Sequence, residues 1–153
     1  MSAIDALELE LRLIARRSQS SSALFAGQVH PKLDASAFPI LAHISMNPGT
    51  RGSDLAAHFS VGRATISRQL ARLEKLGLIS REVDPEDTRG QLITLTSEGE
   101  DRFTHAREAR VDAFAEALAS WDEADIAQLA KLLHRYSDSF TAWRASQDPE
   151  FEG

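Results

Sequence analysis

The sequence contains no cysteine among its 153 residues, which excludes disulfide bonds, thiolate metal sites and cysteine-based redox sensing by this chain. It has no apolar run of membrane-spanning length, and the first seventeen residues lack the continuous apolar segment of a secretion signal. No Ser-His-Asp arrangement, glycine-rich phosphate loop or carboxylate pair stands in a context typical of catalysis. These absences predict a cytoplasmic protein that is not an enzyme and does not enter a membrane.

The histidines are few and show no spacing typical of a metal site. They are His30, His43, His58, His105 and His134. Asp101 and His105 share a helix face, but such pairs are far more often surface contacts than metal ligands. We therefore predict no metal and no cofactor.

The charge is unevenly distributed along the chain. The overall net charge is −6, yet residues 61–81 carry five basic side chains and one acid, so this segment has a net charge of +4 and the remainder −10. The basic residues are Arg63, Arg68, Arg72, Lys75 and Arg81. A basic patch on an acidic protein orients a polyanion. A solvated helix face is the alternative, and the hairpin that follows the patch favours the polyanion.

Residues 60–95 have the pattern of a helix followed by a hairpin. Ile66, Leu70 and Leu73 form an apolar seam with basic residues opposite, and Ser60 is placed to cap the helix. Gly77 suits a left-handed position after the helix, with Leu78 packing back on Leu73 as in a Schellman motif. Residues 78–83 and 91–96 have strand composition and flank the turn sequence DPEDTRG. A helix and hairpin of this kind reach a major groove and the adjacent minor groove of duplex DNA.

Further helices are predicted on both sides of this segment. The first follows Ile4, Leu7, Leu11 and Ile14 and either continues through SQSSS or breaks there. The second spans 36–46, and the third spans about 51–58, capped by Thr50 or Ser53 and burying Leu55 and Phe59. Capping boxes that begin at Ser97 and Ser120 open the fifth and sixth helices.

The fold class predicted is mainly α with a small β-wing, in one domain, 1–153. Its winged helix-turn-helix lobe covers 34–97, and its helical dimerisation region covers 3–30 and 98–146. The sixth helix repeats apolar residues at alternating steps of three and four, which favours a partner helix. They are Ile126, Leu129, Leu133, Tyr136, Phe140 and Trp143. We expect a homodimer, whose two-fold symmetry suits a palindromic DNA site; packing of the terminal helices on each other within one chain is the alternative.

The chain resembles the MarR family of bacterial regulators in element order over nearly its whole length. The resemblance rests on ISRQLARLEKLGLI, on the D-P-x-D-x-R wing and on L-T-x-x-G at the start of the following helix. It implies a dimer held by the terminal helices, an intergenic palindrome as target, and repression relieved by a small, often aromatic or phenolic ligand. Thr88 departs from the pattern, because many members have a second Arg there.

The resemblance also implies roles for individual residues. Arg89 would enter the minor groove, and Asp87 would orient neighbouring basic side chains. The contacting surface of the helix would comprise Arg63, Thr65, Ser67, Arg68 and Arg72. His30 and His43 lie in or near the region where the family's ligand cleft forms, although an ordinary polar or packed histidine is the simpler interpretation.

A helical wheel assigns these residues more closely. It directs Arg68 and Thr65 towards base edges and Arg72 towards the DNA backbone, while Arg63 at the helix start suits either role. An intrahelical ion pair with Glu74 or a neighbouring acid is the alternative for Arg72, and a solvent-exposed turn residue is the alternative for Arg89.

The function predicted is that of a homodimeric transcription regulator, a repressor released from a palindromic operator by a small ligand. The alternative is a winged-helix module that binds another protein and has lost DNA binding.

Overall fold

The computed structural model describes residues 2–147, so both ends of the predicted domain, 1–153, lie outside the described residues. Six helices and three strands occur within that range. In chain order they are α1 (Ala3–Val29), α2 (Ala37–Met46), β1 (Thr50–Arg51), α3 (Gly52–Phe59), α4 (Arg63–Lys75), β2 (Ile79–Val83), β3 (Gln91–Leu95), α5 (Ser97–Ala117) and α6 (Glu123–Gln147). The predicted fold class, mainly α with a small β-wing, is confirmed.

The chain divides into two compact units, Met1–Val111 and Asp112–Gly153, and each is described by itself. The first contains α1 to α4, the sheet and most of α5; the second contains the end of α5 and all of α6. No helix in the described part of the chain is long and apolar enough to cross a membrane.

Helix α1 is continuous from Ala3 to Val29, so it does not break at the SQSSS stretch. It begins with a reciprocal capping box, in which the Asp5 N–H donates to Ser2 Oγ (3.1 Å) and the Ser2 N–H to Asp5 Oδ2 (2.7 Å). Within the serine stretch, the Ser21 hydroxyl donates to the carbonyl of Arg17, one turn earlier. The serine stretch is thus part of the helix, and this hydroxyl bonds within it.

The helix-turn-helix consists of α3 and α4, and both predicted N-caps are wrong. Helix α3 begins at Gly52, and the Asp54 carboxylate accepts from the Arg51 N–H, so neither Thr50 nor Ser53 is the cap. Helix α4 begins at Arg63 with Gly62 as its cap. Ser60 instead ends α3 in a left-handed conformation, φ 52°. In that conformation it directs its own N–H and that of the next residue back to carbonyls of α3.

The Schellman motif after α4 is confirmed. The Gly77 N–H donates to Glu74 O (2.9 Å), and the Leu78 N–H donates to Leu73 O (3.0 Å). Gly77 has φ 73°, and Leu73 and Leu78 are both fully buried. The turn therefore directs the chain from α4 straight into β2, the first strand of the wing.

The two predicted wing strands are present, and a third strand joins them. Strand β3 lies between β1 and β2, antiparallel to both, with Arg81 opposite Ile93 on one side and Thr50 opposite Ile93 on the other. Strand β1 has only two residues and was not predicted. It connects the start of the helix-turn-helix to the wing.

The last two helices begin at other residues than predicted. Thr96, not Ser97, caps α5, because its hydroxyl accepts from the Gly99 N–H (3.0 Å). Helix α6 starts at Glu123, so Ser120 lies before its first turn. Because a capping-box pattern recurs with small shifts along a polar segment, the residues alone did not distinguish the register in either case.

One hydrophobic core holds the first unit together. It is formed by buried side chains from α1 to α5 and from the sheet, with Leu41, Ile44, Leu55, Leu73 and Ile93 among the largest. Leu55 is fully buried as predicted, whereas Phe59 is only partly buried and packs against the edge of the core. The burial of Ile66, Leu70 and Leu73 in this core fixes which side of α4 faces solvent.

Candidate nucleic-acid interface

Helix α4 is held by its apolar seam and presents the rest of its surface to solvent. Ile66, Leu70 and Leu73 are each at most 2% exposed. The predicted contact residues on α4 are all exposed: Arg63, Thr65, Ser67, Arg68 and Arg72. Because three buried residues fix the rotation of the helix, the direction of each polar side chain follows from its spacing to the seam.

The wing is a hairpin whose tip is organised by Asp84. This carboxylate is buried, accepts from the Glu86 N–H (2.9 Å) and forms an ion pair with the Arg51 guanidinium. Hydrogen bonding, first from Glu86 and then from Arg51, lowers the pKa of Asp84 below its ordinary value. The carboxylate therefore remains ionised around neutral pH and keeps the tip anchored to β1.

Asp87 makes backbone contacts at the wing tip. Its Oδ1 accepts a hydrogen bond from the Arg89 backbone N–H at 3.1 Å, and its backbone carbonyl accepts from the Gly90 N–H at 2.8 Å. These contacts shape the tip backbone at Arg89. Orientation of neighbouring basic side chains by Asp87 remains a prediction. The pair of a carboxylate with a basic side chain is formed by Asp84 and Arg51, which the sequence reading missed because they lie 33 residues apart.

A groove of about 490 Å³ lies between α4 and the wing. From α4 it is lined by Arg63, Ile66, Ser67 and Leu70; from the sheet and wing by Arg51, Arg81, Asp87, Arg89, Gly90, Gln91 and Ile93; and from the start of α3 by Gly52 and Ser53. Four of the predicted contact residues, Arg63, Ser67, Asp87 and Arg89, thus line one groove. Arginines come from both of its walls, an arrangement that suits a phosphate backbone.

Arg68 and Thr65 lie on the outward face of α4 and are not among the groove residues. The Arg68 Nη2 is 3.5 Å from the Thr65 hydroxyl, and both side chains are exposed. Base contact by this pair remains a prediction, which their outward direction supports.

Arg72 is engaged by the protein on the flank of α4 away from the wing. Its Nη1 donates to Asp34 Oδ2 (2.9 Å), and its Nη2 donates to the carbonyl oxygen of Lys32. The intrahelical pair considered for Arg72 is not the one formed, because its acidic partner is Asp34 from another segment. Glu74 pairs instead with Arg81 on the first wing strand (3.1 Å).

The two histidines considered as ligand residues both make local contacts. His30 follows α1, and its Nδ1 accepts from the Lys32 N–H (3.1 Å). His43 lies in α2 with its ring centroid 4.2 Å from that of His58 in α3. Burial, then the nearby His58, lowers the pKa of His43, while Asp54 acts in the opposite direction. Within residues 2–147 no cluster of three or more histidine, aspartate or glutamate side chains is arranged to bind a metal.

Comparison with known proteins gives concordant matches. A sequence model of the MarR family matches residues 32–90, which covers α2 to β2 and the tip of the wing. The uncharacterized HTH-type transcriptional regulator YxaD of Bacillus subtilis is 28% identical over 140 residues, covering 90% of this chain and 94% of that protein.

Solved structures match over most of the chain. A crystal structure of MarR has a TM-score of 0.73 and 26% identity, with 95% of each chain covered. The structure of Streptococcus pneumoniae FabT in complex with DNA has a TM-score of 0.76 over 92% of this chain and 99% of that chain; at 16% identity this likeness concerns the fold. The match of the MarR family model to residues 32–90 and the structural match to MarR over most of the chain make this protein similar to the MarR family of transcriptional regulators.

Proposed function

We propose that the protein is a homodimeric transcription regulator whose α4 helices enter successive major grooves of a palindromic operator while the wings contact the adjacent minor grooves. The observation that carries the proposal is the groove between α4 and the wing, which brings Arg63, Ser67 and Arg89 together. The fold is shared with FabT, a protein solved in complex with DNA, and this likeness supports DNA binding by this chain. Half-sites about 10 bp apart, one helical turn, would match a two-fold dimer.

Dimerisation is supported by apolar side chains left exposed on the terminal helices. Helix α6 has no buried residue, and its seam residues Leu129, Leu133 and Phe140 are 39%, 43% and 47% exposed. Helix α1 likewise exposes Ile4, Leu7 and Ile14. A second copy would remove such surface from water, which favours association. We accordingly assign 34–97 to the DNA-binding lobe and 3–30 and 98–146 to the dimerisation region.

Repression, and its relief by a small and often aromatic ligand, are proposed from the resemblance to the MarR family. Such a ligand would act by binding one dimer conformation more tightly than another, so that the spacing of the two α4 helices changes. His30 and His43 remain candidate ligand residues. The proposal places the protein in the cytoplasm, where the DNA of a bacterium lies.

The decisive test of DNA binding is the loss of the wing arginine. A duplex is first selected by the wild-type protein from a random-sequence library and then titrated in a gel-shift assay. Arg89→Ala should weaken binding by roughly tenfold or more, because a contact with a base is worth about 1–3 kcal/mol. Folding should be unchanged, since Arg89 is exposed.

The matched control removes an arginine elsewhere. Arg107 is exposed on α5, outside the groove, and Arg107→Ala should bind nearly as wild type does. Equal affinity of Arg89→Ala and wild type would contradict the role of the wing. Failure of the wild-type protein to select any duplex would instead favour the protein-binding module.

A further inference from the structure

The flank of α4 that faces away from the wing is fastened to the connector, residues 30–36, which joins α1 to α2. Gln69 Nε2 donates to Ser36 Oγ (2.8 Å), and one turn later Arg72 reaches Asp34 and the carbonyl of Lys32. Asp34 is itself fixed in place, because its Oδ1 accepts from both the hydroxyl (2.5 Å) and the backbone N–H (3.1 Å) of Ser36.

These contacts leave a carboxylate among cations on the proposed DNA-binding side. Lys32, Arg72 and Lys75 line a second groove beside α4. Asp34 is the acid that the structure pairs with Arg72, and the two side chains are 51% and 45% exposed. An ion pair so open to solvent is weak, since water already screens both charges.

A DNA phosphate would offer Arg72 the same kind of partner. The Asp34 carboxylate and a DNA phosphate both present anionic oxygens, and the planar guanidinium group of Arg72 binds either one. A backbone phosphate that binds Nη1 of Arg72 would displace the Asp34 carboxylate, and it would also lie near the negative charge of that carboxylate. Removing the carboxylate should relieve both costs.

We propose that Asp34 occupies Arg72 in the DNA-free protein and competes with the operator backbone for it, which makes this ion pair an autoinhibitory contact. The inference rests on the proposed DNA-binding function. Because a phosphate carries no base identity, the competition lowers affinity for the operator and for unrelated duplexes alike.

The test is a double-mutant cycle on DNA binding, with the selected duplex and an unrelated duplex of equal length. Asp34→Asn removes the charge but keeps the oxygen that accepts from Ser36, so the connector should stay folded. We expect Asp34→Asn to bind both duplexes about two- to fivefold more tightly for each Arg72 that contacts the DNA. This range corresponds to the free energies that exposed ion pairs contribute. In an Arg72→Gln background the same substitution should give a much smaller gain. Asp101→Asn, which removes an exposed carboxylate from α5, is the matched control and should change little.

The outcomes separate this inference from the proposed function. An equal gain with and without Arg72 would show a general charge effect and overturn the inference. Unchanged or weaker binding by Asp34→Asn, beside a wild type that binds, would overturn it too. A wild type that binds no duplex overturns the proposed function and the inference together.

The ion pair is also measurable without DNA. Hydrogen bonds from Ser36, and then the charge of Arg72, lower the pKa of Asp34. An NMR titration should show that pKa rise in Arg72→Gln, and an unchanged pKa would contradict the pairing.

Discussion

At the scale of single residues, two acidic residues outside α4 organise the proposed DNA interface. Asp84 anchors the wing tip to Arg51 on β1, and Asp34 engages Arg72 on the opposite flank of α4. Asp84 is buried whereas Asp34 is half exposed. The first contact therefore serves as permanent structure, and the second is weak enough to exchange with another anion.

The role of Ser60 depends on its backbone conformation. Its φ of 52° lies in the left-handed region, which costs a residue with a Cβ about 1–2 kcal/mol. Ser60→Gly should therefore raise the free energy of unfolding by about 1 kcal/mol, measured by urea denaturation. Ser20→Gly, at an exposed position within α1, should lower it. A destabilised Ser60→Gly would show that the serine makes a compensating contact.

At the scale of elements, the junction between the wing and α5 leaves no space for a side chain. A Cβ placed on Gly99 would lie 1.9 Å from the carbonyl oxygen of Leu78, and the same oxygen accepts from the Thr96 N–H (3.0 Å). The first turn of α5 thus packs directly on the backbone at the start of the wing. The glycine of the L-T-x-x-G motif is required by this close approach.

Gly99→Ala should consequently destabilise the fold by roughly 1–3 kcal/mol, the usual cost of overpacking. Thermal unfolding followed by circular dichroism would measure the loss. Gly27→Ala is the matched control: nothing lies within 4 Å of its added Cβ, and its position in α1 favours alanine. Similar melting temperatures for Gly99→Ala and wild type would contradict the packing at this junction.

At the scale of the whole molecule, the proposed function requires two copies. The seam of α6 is continuous over the described helix, and its aromatic residues Tyr136, Phe140 and Trp143 lie within 6 Å of one another in succession. In a lone chain these groups contact water, and such a surface favours a partner.

Leu133→Asp should convert the protein from twice the mass of one 16.8 kDa chain to a single chain, as measured by sedimentation equilibrium. Operator affinity should fall with it, because a monomer engages only one half-site. Ala142→Asp introduces the same charge on the opposite side of α6 and should remain dimeric. A wild-type protein that sediments as a monomer would refute the dimer directly.

The sequence predicted those elements whose signals are local. The seam of Ile66, Leu70 and Leu73, the glycine after α4 and the turn between two strands each lie within a few residues, and each was confirmed. The caps of α3 and α4 were misplaced because Arg51 and Gly62 stand at the cap positions without a side-chain cap hydrogen bond, so no capping side chain marks either helix start in the sequence. The two-residue strand β1 has too few residues to form a pattern.

What the sequence by itself determined is the resemblance to the MarR family, the order of elements, and the basic outer face of α4, since each depends on residue types at short spacing. Only the tertiary structure decided which side chains share a groove and which are already paired. Arg72 and Asp34 are 38 residues apart, and Arg51 and Asp84 are 33 apart. No local pattern links such pairs, because their contact arises only when the hydrophobic core fixes α4 between the connector and the wing.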